Sequence, residues 1–133
     1  MKATVLDASA LLALLFDQPG AEKVENLFHQ AANDDKPLQI TAVNWAEVLY
    51  KMKLKHGVPG WEGAKHFEST MPLEVVLVDR DLAEVAAAMK VAYHLGLADA
   101  VAAALAKQRK AELITGDHEF KAVEKEIKIN WLK

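Results

Sequence analysis

Four carboxylates stand beside apolar runs instead of within charged surface stretches. They are Asp7 after Thr4-Val5-Leu6, Glu47 in Asn44-Trp45-Ala46-Glu47, Asp99 in Gly96-Leu97-Ala98-Asp99-Ala100, and Asp117 after Leu113-Ile114-Thr115-Gly116. Acids gathered in one pocket repel and raise one another's pKa, so such a cluster persists only with a positive partner. Oxygen-only ligands favour a hard divalent cation, Mg2+ or Mn2+. Each acid also has ordinary structural work open to it. Asp7 and Ser9 can cap the helix that follows them, Asp99 can serve at the start of its own helix, and Asp117 sits where a turn recruits Gly and Asp. Asp99 resists that explanation most. It is the only charged residue between His94 and Lys107, and residues 100–106 after it are apolar all round, the profile of a buried helix. Glu47 stays open: at ~100° per residue, Asn44, Glu47, Lys51 and Lys55 share one polar stripe between apolar faces. That stripe reads either as an exposed Glu47–Lys51 pair or as a strip aimed at a polar cavity.

The elements that must position these residues alternate. A strand over residues 2–6 is expected to lead into a helix over 8–16, stopped by Asp17-Gln18-Pro19-Gly20, and a second helix spans 21–32. A strand over 38–41 precedes a helix over 42–56, a break at Gly57-Val58-Pro59-Gly60 and a helix through 69. After Pro72 comes a β-branched strand over 73–78, then a helix through 95 whose start reads as a capping box from Asp81 to Glu84. A helix after Gly96 to about 110, a strand over 112–115, a short helix over 118–123 and a strand over 127–130 complete the chain. Strands in uninterrupted apolar runs, alternating with helices, predict an α/β fold with a parallel sheet covered on both faces. In such a sheet ligand sites form beyond the carboxyl ends of the strands, where Asp7 and Asp117 belong.

At 133 residues and 52% hydrophobic, the chain is expected to form one domain, residues 1–133, around its own core. It has no cysteine, which removes disulfides, thiolate metal sites and a cysteine nucleophile. Asp7 interrupts the only apolar stretch near the start, and no run approaches the about 18 apolar residues of a membrane span, so a soluble, cytoplasmic protein is expected. Sixteen Lys and Arg against nineteen acids give a net charge of −3, which argues against coating nucleic acid through bulk charge but not against a nuclease. Local cations lie at Lys51, Lys53, Lys55 and His56, and at Lys107, Arg109 and Lys110, the second group reading as a helix end favoured by its dipole. In a nuclease, Lys51 and Lys55 would be the expected contacts for nucleic-acid phosphates. His118, beside Asp117, reads as a solvent-facing turn residue, and Trp45, Leu49 and Trp61 either as core or as part of a surface that receives a partner segment or a second subunit.

The motifs together resemble the PIN-domain family and, within it, the VapC-type toxin ribonucleases of toxin–antitoxin pairs. Val5-Leu6-Asp7-Ala8-Ser9-Ala10-Leu11-Leu12-Ala13 resembles the first family motif, with Asp7 as its metal-binding acid and Ser9 as a supporting hydroxyl. Asn44-Trp45-Ala46-Glu47-Val48-Leu49 resembles the second, Gly96-Leu97-Ala98-Asp99-Ala100 the third, and Ile114-Thr115-Gly116-Asp117-His118-Glu119-Phe120 the fourth, with Thr115 and Asp117 in supporting positions. Each motif is short, but the four in order cover nearly the whole chain. The resemblance implies a three-layer fold around a five-stranded parallel sheet and an acidic pocket holding one or two Mg2+ or Mn2+ ions. It further implies hydrolysis of single-stranded RNA, a homodimer, and a VapB-like antitoxin occupying the active-site groove. Asp7, Glu47 and Asp99 would hold metal and Asp117 complete the pocket, and asparagine at Asp7 or Asp99 is expected to abolish cleavage while leaving the fold intact or more stable.

Other functions fit the sequence less well. Phosphatases with an aspartyl nucleophile also begin with a strand ending in Asp, but they need a second Asp two residues on, where this chain has Ser9. A module that binds metal or RNA without cutting, or an RNA-processing nuclease without an antitoxin, remains the alternative.

Overall fold

The computed structural model describes residues 3–133. The apolar runs become five strands, β1 (Thr4–Leu6), β2 (Leu38–Thr41), β3 (Leu73–Val76), β4 (Glu112–Thr115) and β5 (Lys128–Trp131). They pair in the order β3-β2-β1-β4-β5, and every ladder is parallel. Successive β1 residues face opposite layers, the pattern of a sheet buried on both sides. Leu6 and Ile114 pack among α1 (Ala8–Leu15), α2 (Ala21–Asn33) and α3 (Ala42–Thr70). Val5 and Leu113 pack among α4 (Arg80–Tyr93), α5 (Leu97–Arg109) and a short 3-10 helix (His118–Val123). The expected α/β, three-layer architecture therefore holds.

Two features of this arrangement position the site. From β1 the chain steps outward through β2 to β3, then crosses back to place β4 on the other side of β1. That reversal opens a crevice at the carboxyl ends of β1 and β4, where an open parallel sheet binds its ligands. The second feature is α5, whose residues Ala100 to Ala106 are all buried. Five of those seven are more than small fillers: alanine side chains let the helix axis lie close to β1, β2 and β4, which carries the first turn of α5, and with it Asp99, to the same crevice.

The elements fall where the sequence puts them, with local corrections. Lys2, expected in the first strand, lies outside the described residues. The break expected over residues 57–60 is present within α3: Gly57, with φ 67° and ψ −154°, leaves helical geometry and divides Ala42–Thr70 into two helical segments. β3 stops at Val76, and α4 is capped by Asp79, not Asp81. Asp79 has extended backbone and accepts a hydrogen bond from Leu82 N at 2.8 Å, while Glu84 turns to Arg80 at 2.9 Å instead of reaching back to a capping box. His94 in the left-handed region ends α4 ahead of Leu95. Trp45, Leu49 and Trp61 are half-buried, not enclosed. No single described helix is long and apolar enough to cross a membrane; α4 and α5 pass only as a pair bent by 114°.

Candidate active site

The register of the central ladder builds the first half of the site. Thr4 pairs with Glu112, Val5 with Leu113 and Leu6 with Ile114, and Asp7 N extends the ladder to Ile114 O at 3.3 Å. Asp7 is thereby level with Thr115, whose hydroxyl donates to Asp7 Oδ2 at 2.5 Å. Asp7 Oδ1 accepts from Ser9 Oγ at 2.7 Å and from Ala10 N at 2.9 Å, so Asp7 is both the cap of α1 and the centre of a polar clamp. The clamp continues into the loop after β4. Gly116 N donates to Ser9 Oγ at 3.1 Å and Asp117 N to Thr115 Oγ1 at 2.9 Å. Asp117 Oδ1 then accepts from Glu119 N at 3.0 Å and caps the 3-10 helix. Ser9 and Thr115 are thus shared between the two strand ends, and their hydroxyls fix where the Asp7 carboxylate points.

Asp99 arrives from the other side of the crevice. Gly96 provides no side-chain cap for α5, and the helix start is held instead from α3, where Asn44 Nδ2 donates to Ala98 O at 3.2 Å. Asn44 is itself buried and fixed by Thr41, which accepts from its backbone N–H at 3.0 Å and donates to its side-chain oxygen at 2.5 Å. One carboxylate oxygen from each of Asp99, Asp117 and Glu119 lies within 4.8 Å of the others. Glu119 joins the cluster although its sequence surroundings do not mark it. The only available signal was a second acid two residues after Asp117, a spacing that also suits the first turn of a helix. Asn44 lies on the polar stripe of α3 by its spacing, yet its side chain turns inward to brace α5.

Electrostatically the acids oppose one another. Asp7 is only 2% exposed, and burial pushes its pKa above the ordinary carboxylate value, against the hydrogen bonds from Thr115, Ser9 and Ala10 and with help from the charge of Asp117. The Asp99 carboxyl is pushed up to about 7, first by burial, then by the charges of Asp117 and Asp7 and by its hydrogen bond to Glu119. Half-buried like charges with an all-oxygen donor set suit a hard divalent cation, so the residues present form an acidic cluster that can bind a metal.

Glu47 stands at the edge of this group. It makes the i,i+4 pair with Lys51, Nζ to Oε2 2.8 Å. That hydrogen bond is the main cause raising the Lys51 pKa, but the charge of Asp7 contributes too, so the polar stripe of α3 faces the same crevice. Farther along the stripe the Lys55 ammonium lies 4.3 Å from the centre of the Phe16 ring. Lys107, in the second cationic group, pairs with Glu126 on the far side of the sheet edge. His118 is exposed as expected, but its ring stacks on Trp131, with centroids 5.3 Å apart and planes at 18°.

A family model for the PIN domain matches residues 4–126. The chain belongs to the PIN-domain family. The family resemblance carried by the four motifs is therefore borne out, and it covers β1 through the 3-10 helix. No curated protein matches this PIN domain in sequence. Solved structures match its fold over nearly its full length. A toxin–antitoxin complex from Klebsiella pneumoniae aligns at 22% identity and a TM-score of 0.73, covering 98% of each chain. VapBC2 from Rickettsia felis, bound to a DNA fragment from its promoter, aligns at 17% identity and a TM-score of 0.78, covering 97% of this chain and 98% of the other. Mycobacterium tuberculosis VapC20, a toxin that cleaves the sarcin-ricin loop, aligns at 18% identity and a TM-score of 0.73, covering 91% and 95%.

Proposed function

We propose that this PIN domain is a metal-dependent endoribonuclease and the toxin half of a type II toxin–antitoxin pair, the whole chain acting as one domain in the cytoplasm. The observation that carries the reading is the convergence of Asp7, Asp99, Asp117 and Glu119 on the switch point of the sheet, with Asp99 pushed up to about 7. Its neighbours in fold, toxin–antitoxin complexes and a toxin that cuts the sarcin-ricin loop, support it.

Asp7, Glu47, Asp99 and Asp117 would hold one or two Mg2+ or Mn2+ ions, with Glu119 added to the set. When bound, the cation offsets the charge of the acids and of the phosphate and makes an attacking water more acidic. The chain's own residues do the positioning. Ser9 and Thr115 hold the Asp7 carboxylate in one orientation, and Asn44 holds the first turn of α5 so that Asp99 faces it. Water would be the nucleophile, and the Ser9 hydroxyl serves to hold the site, donating to Asp7 and accepting from Gly116 N. Lys51, tied to Glu47 at the rim, and Lys55 farther along the same stripe meet the phosphates flanking the cut.

A VapB-like antitoxin and a second copy of the chain are the proposed partners. Tyr50, Leu54 and Val58 leave large apolar side chains in solvent along α3, Leu54 being 81% exposed, which favours a covering partner. The test is induction of the chain alone in a bacterial host with RNA ends mapped across the transcriptome. Growth arrest with new ends at a small set of sites is expected. Cleavage without arrest would point to a processing nuclease without an antitoxin, and unchanged RNA to a module that binds without cutting.

A further inference from the structure

A cavity of about 580 Å³ opens beside the acidic cluster and shares Ser9 and Asp117 with it. Its volume lies within the roughly 300–1,000 Å³ of small-molecule sites. One wall is the His118–Trp131 stack, which the fold sets in place on purpose-built neighbours: Trp131 pairs in register with Thr115, and His118 is the first residue of the 3-10 helix that Asp117 caps. The opposite wall comes from the turn after α1, where the exposed Gln18 side-chain amide lines the cavity beside Ala13 and Pro19. An exposed imidazole backed by the Trp131 ring, and an amide able to donate and accept, both continuous with the acids, match the parts of a nucleobase: a π-face and a hydrogen-bonding edge. An apolar protein side chain would leave the amide unused. Resting on the nuclease reading above, we infer that this cavity is a base-binding subsite, in which one nucleobase adjacent to the scissile phosphate stacks against His118 while Gln18 contacts its edge.

This assignment makes His118 and Gln18 determinants of where RNA is cut, distinct from the acids that set whether it is cut. Base–aromatic stacking is sequence-tolerant by itself, so the preference for one base falls to Gln18. The test walks a single abasic nucleotide along a cleaved single-stranded RNA and measures KM and kcat for wild type, His118→Ala and His118→Phe. Tryptophan quenching by each of the four nucleoside monophosphates, with no metal added, is recorded beside it. In wild type, one abasic position next to the cut should raise KM by about tenfold. The same position should matter little in His118→Ala, whose KM is already raised, and His118→Phe should restore the wild-type profile. An abasic profile and KM unchanged by His118→Ala, with cleavage intact, would overturn the subsite while sparing the nuclease reading. If no RNA is cut at all the nuclease reading falls, and quenching then decides the cavity: quenching lost in His118→Ala keeps it as a nucleotide site, and its absence from wild type removes it.

Discussion

Asp7 and Asp99 carry the same charge in different hydrogen-bond surroundings, so the same change to asparagine has different consequences. Asp99→Asn removes a carboxylate whose ionisation is opposed by burial and by Asp117 and Asp7. We expect it to abolish cleavage and, with chelator present at pH 8, to raise unfolding stability by about 1–2 kcal/mol in a denaturant titration. The pH dependence carries the same signature. In the fold Asp99 keeps its proton until about pH 7, whereas its ordinary value is 3.8, so the folded chain binds more protons across that window. Stability measured with chelator should therefore fall as pH rises from about 4 to 7, and Asp99→Asn should flatten that slope; identical slopes would refute the assignment. Asp7 differs because its two oxygens accept from Thr115, Ser9 and Ala10, and an asparagine would turn an amide N–H toward one of those donors. The expectation that asparagine leaves the fold intact or firmer thus applies to Asp99 and not to Asp7. Thr115→Val, which takes a donor from Asp7 and an acceptor from Asp117 N, should cost about 1–2 kcal/mol in the same titration. Asp7 and Asp117 were legible in the sequence because each follows an apolar strand directly. Glu119 and Asn44 were not, since an acid in a helical first turn and an amide on a polar stripe look like ordinary surface.

At the scale of elements, α3 shows how much depends on a contact no periodicity reveals. Its helical pattern, its break near Gly57 and its apolar faces were all readable, but the packing of the segment after the kink back onto the one before it was not. A Cβ on Gly60 would meet Met52 O at 2.3 Å and His56 Cβ at 2.8 Å, whereas one on Gly63 would meet nothing within 4 Å. Gly60→Ala should therefore destabilise by about 2 kcal/mol or more, while Gly63→Ala should be neutral or stabilise by up to about 1 kcal/mol, as thermal melts of the two variants would show. Helix starts were legible to within a residue or two. The choice of Asp79 over Asp81 as the cap of α4 was not, because two candidates stand two residues apart and only the extended backbone of Asp79 selects between them. Strand order was likewise hidden: five short apolar runs look alike, and the placement of β1 at the centre follows from burial on both faces, not from any one residue.

For the whole molecule, the net charge of −3 conceals a division of labour. Acids converge at the carboxyl edge of β1 and β4, Lys51 pairs with Glu47 beside them on α3, and the aromatic-walled cavity opens next to them. The central claim is that this edge cuts RNA by means of a divalent ion. Its most direct test incubates purified wild type and Asp99→Asn with a pool of structured RNAs in Mg2+, Mn2+ or EDTA and maps every new end. The account predicts discrete new ends from wild type in Mg2+ or Mn2+, none in EDTA and none from Asp99→Asn. Cleavage that survives EDTA, equal cleavage by Asp99→Asn, or no cleavage under either metal would contradict it.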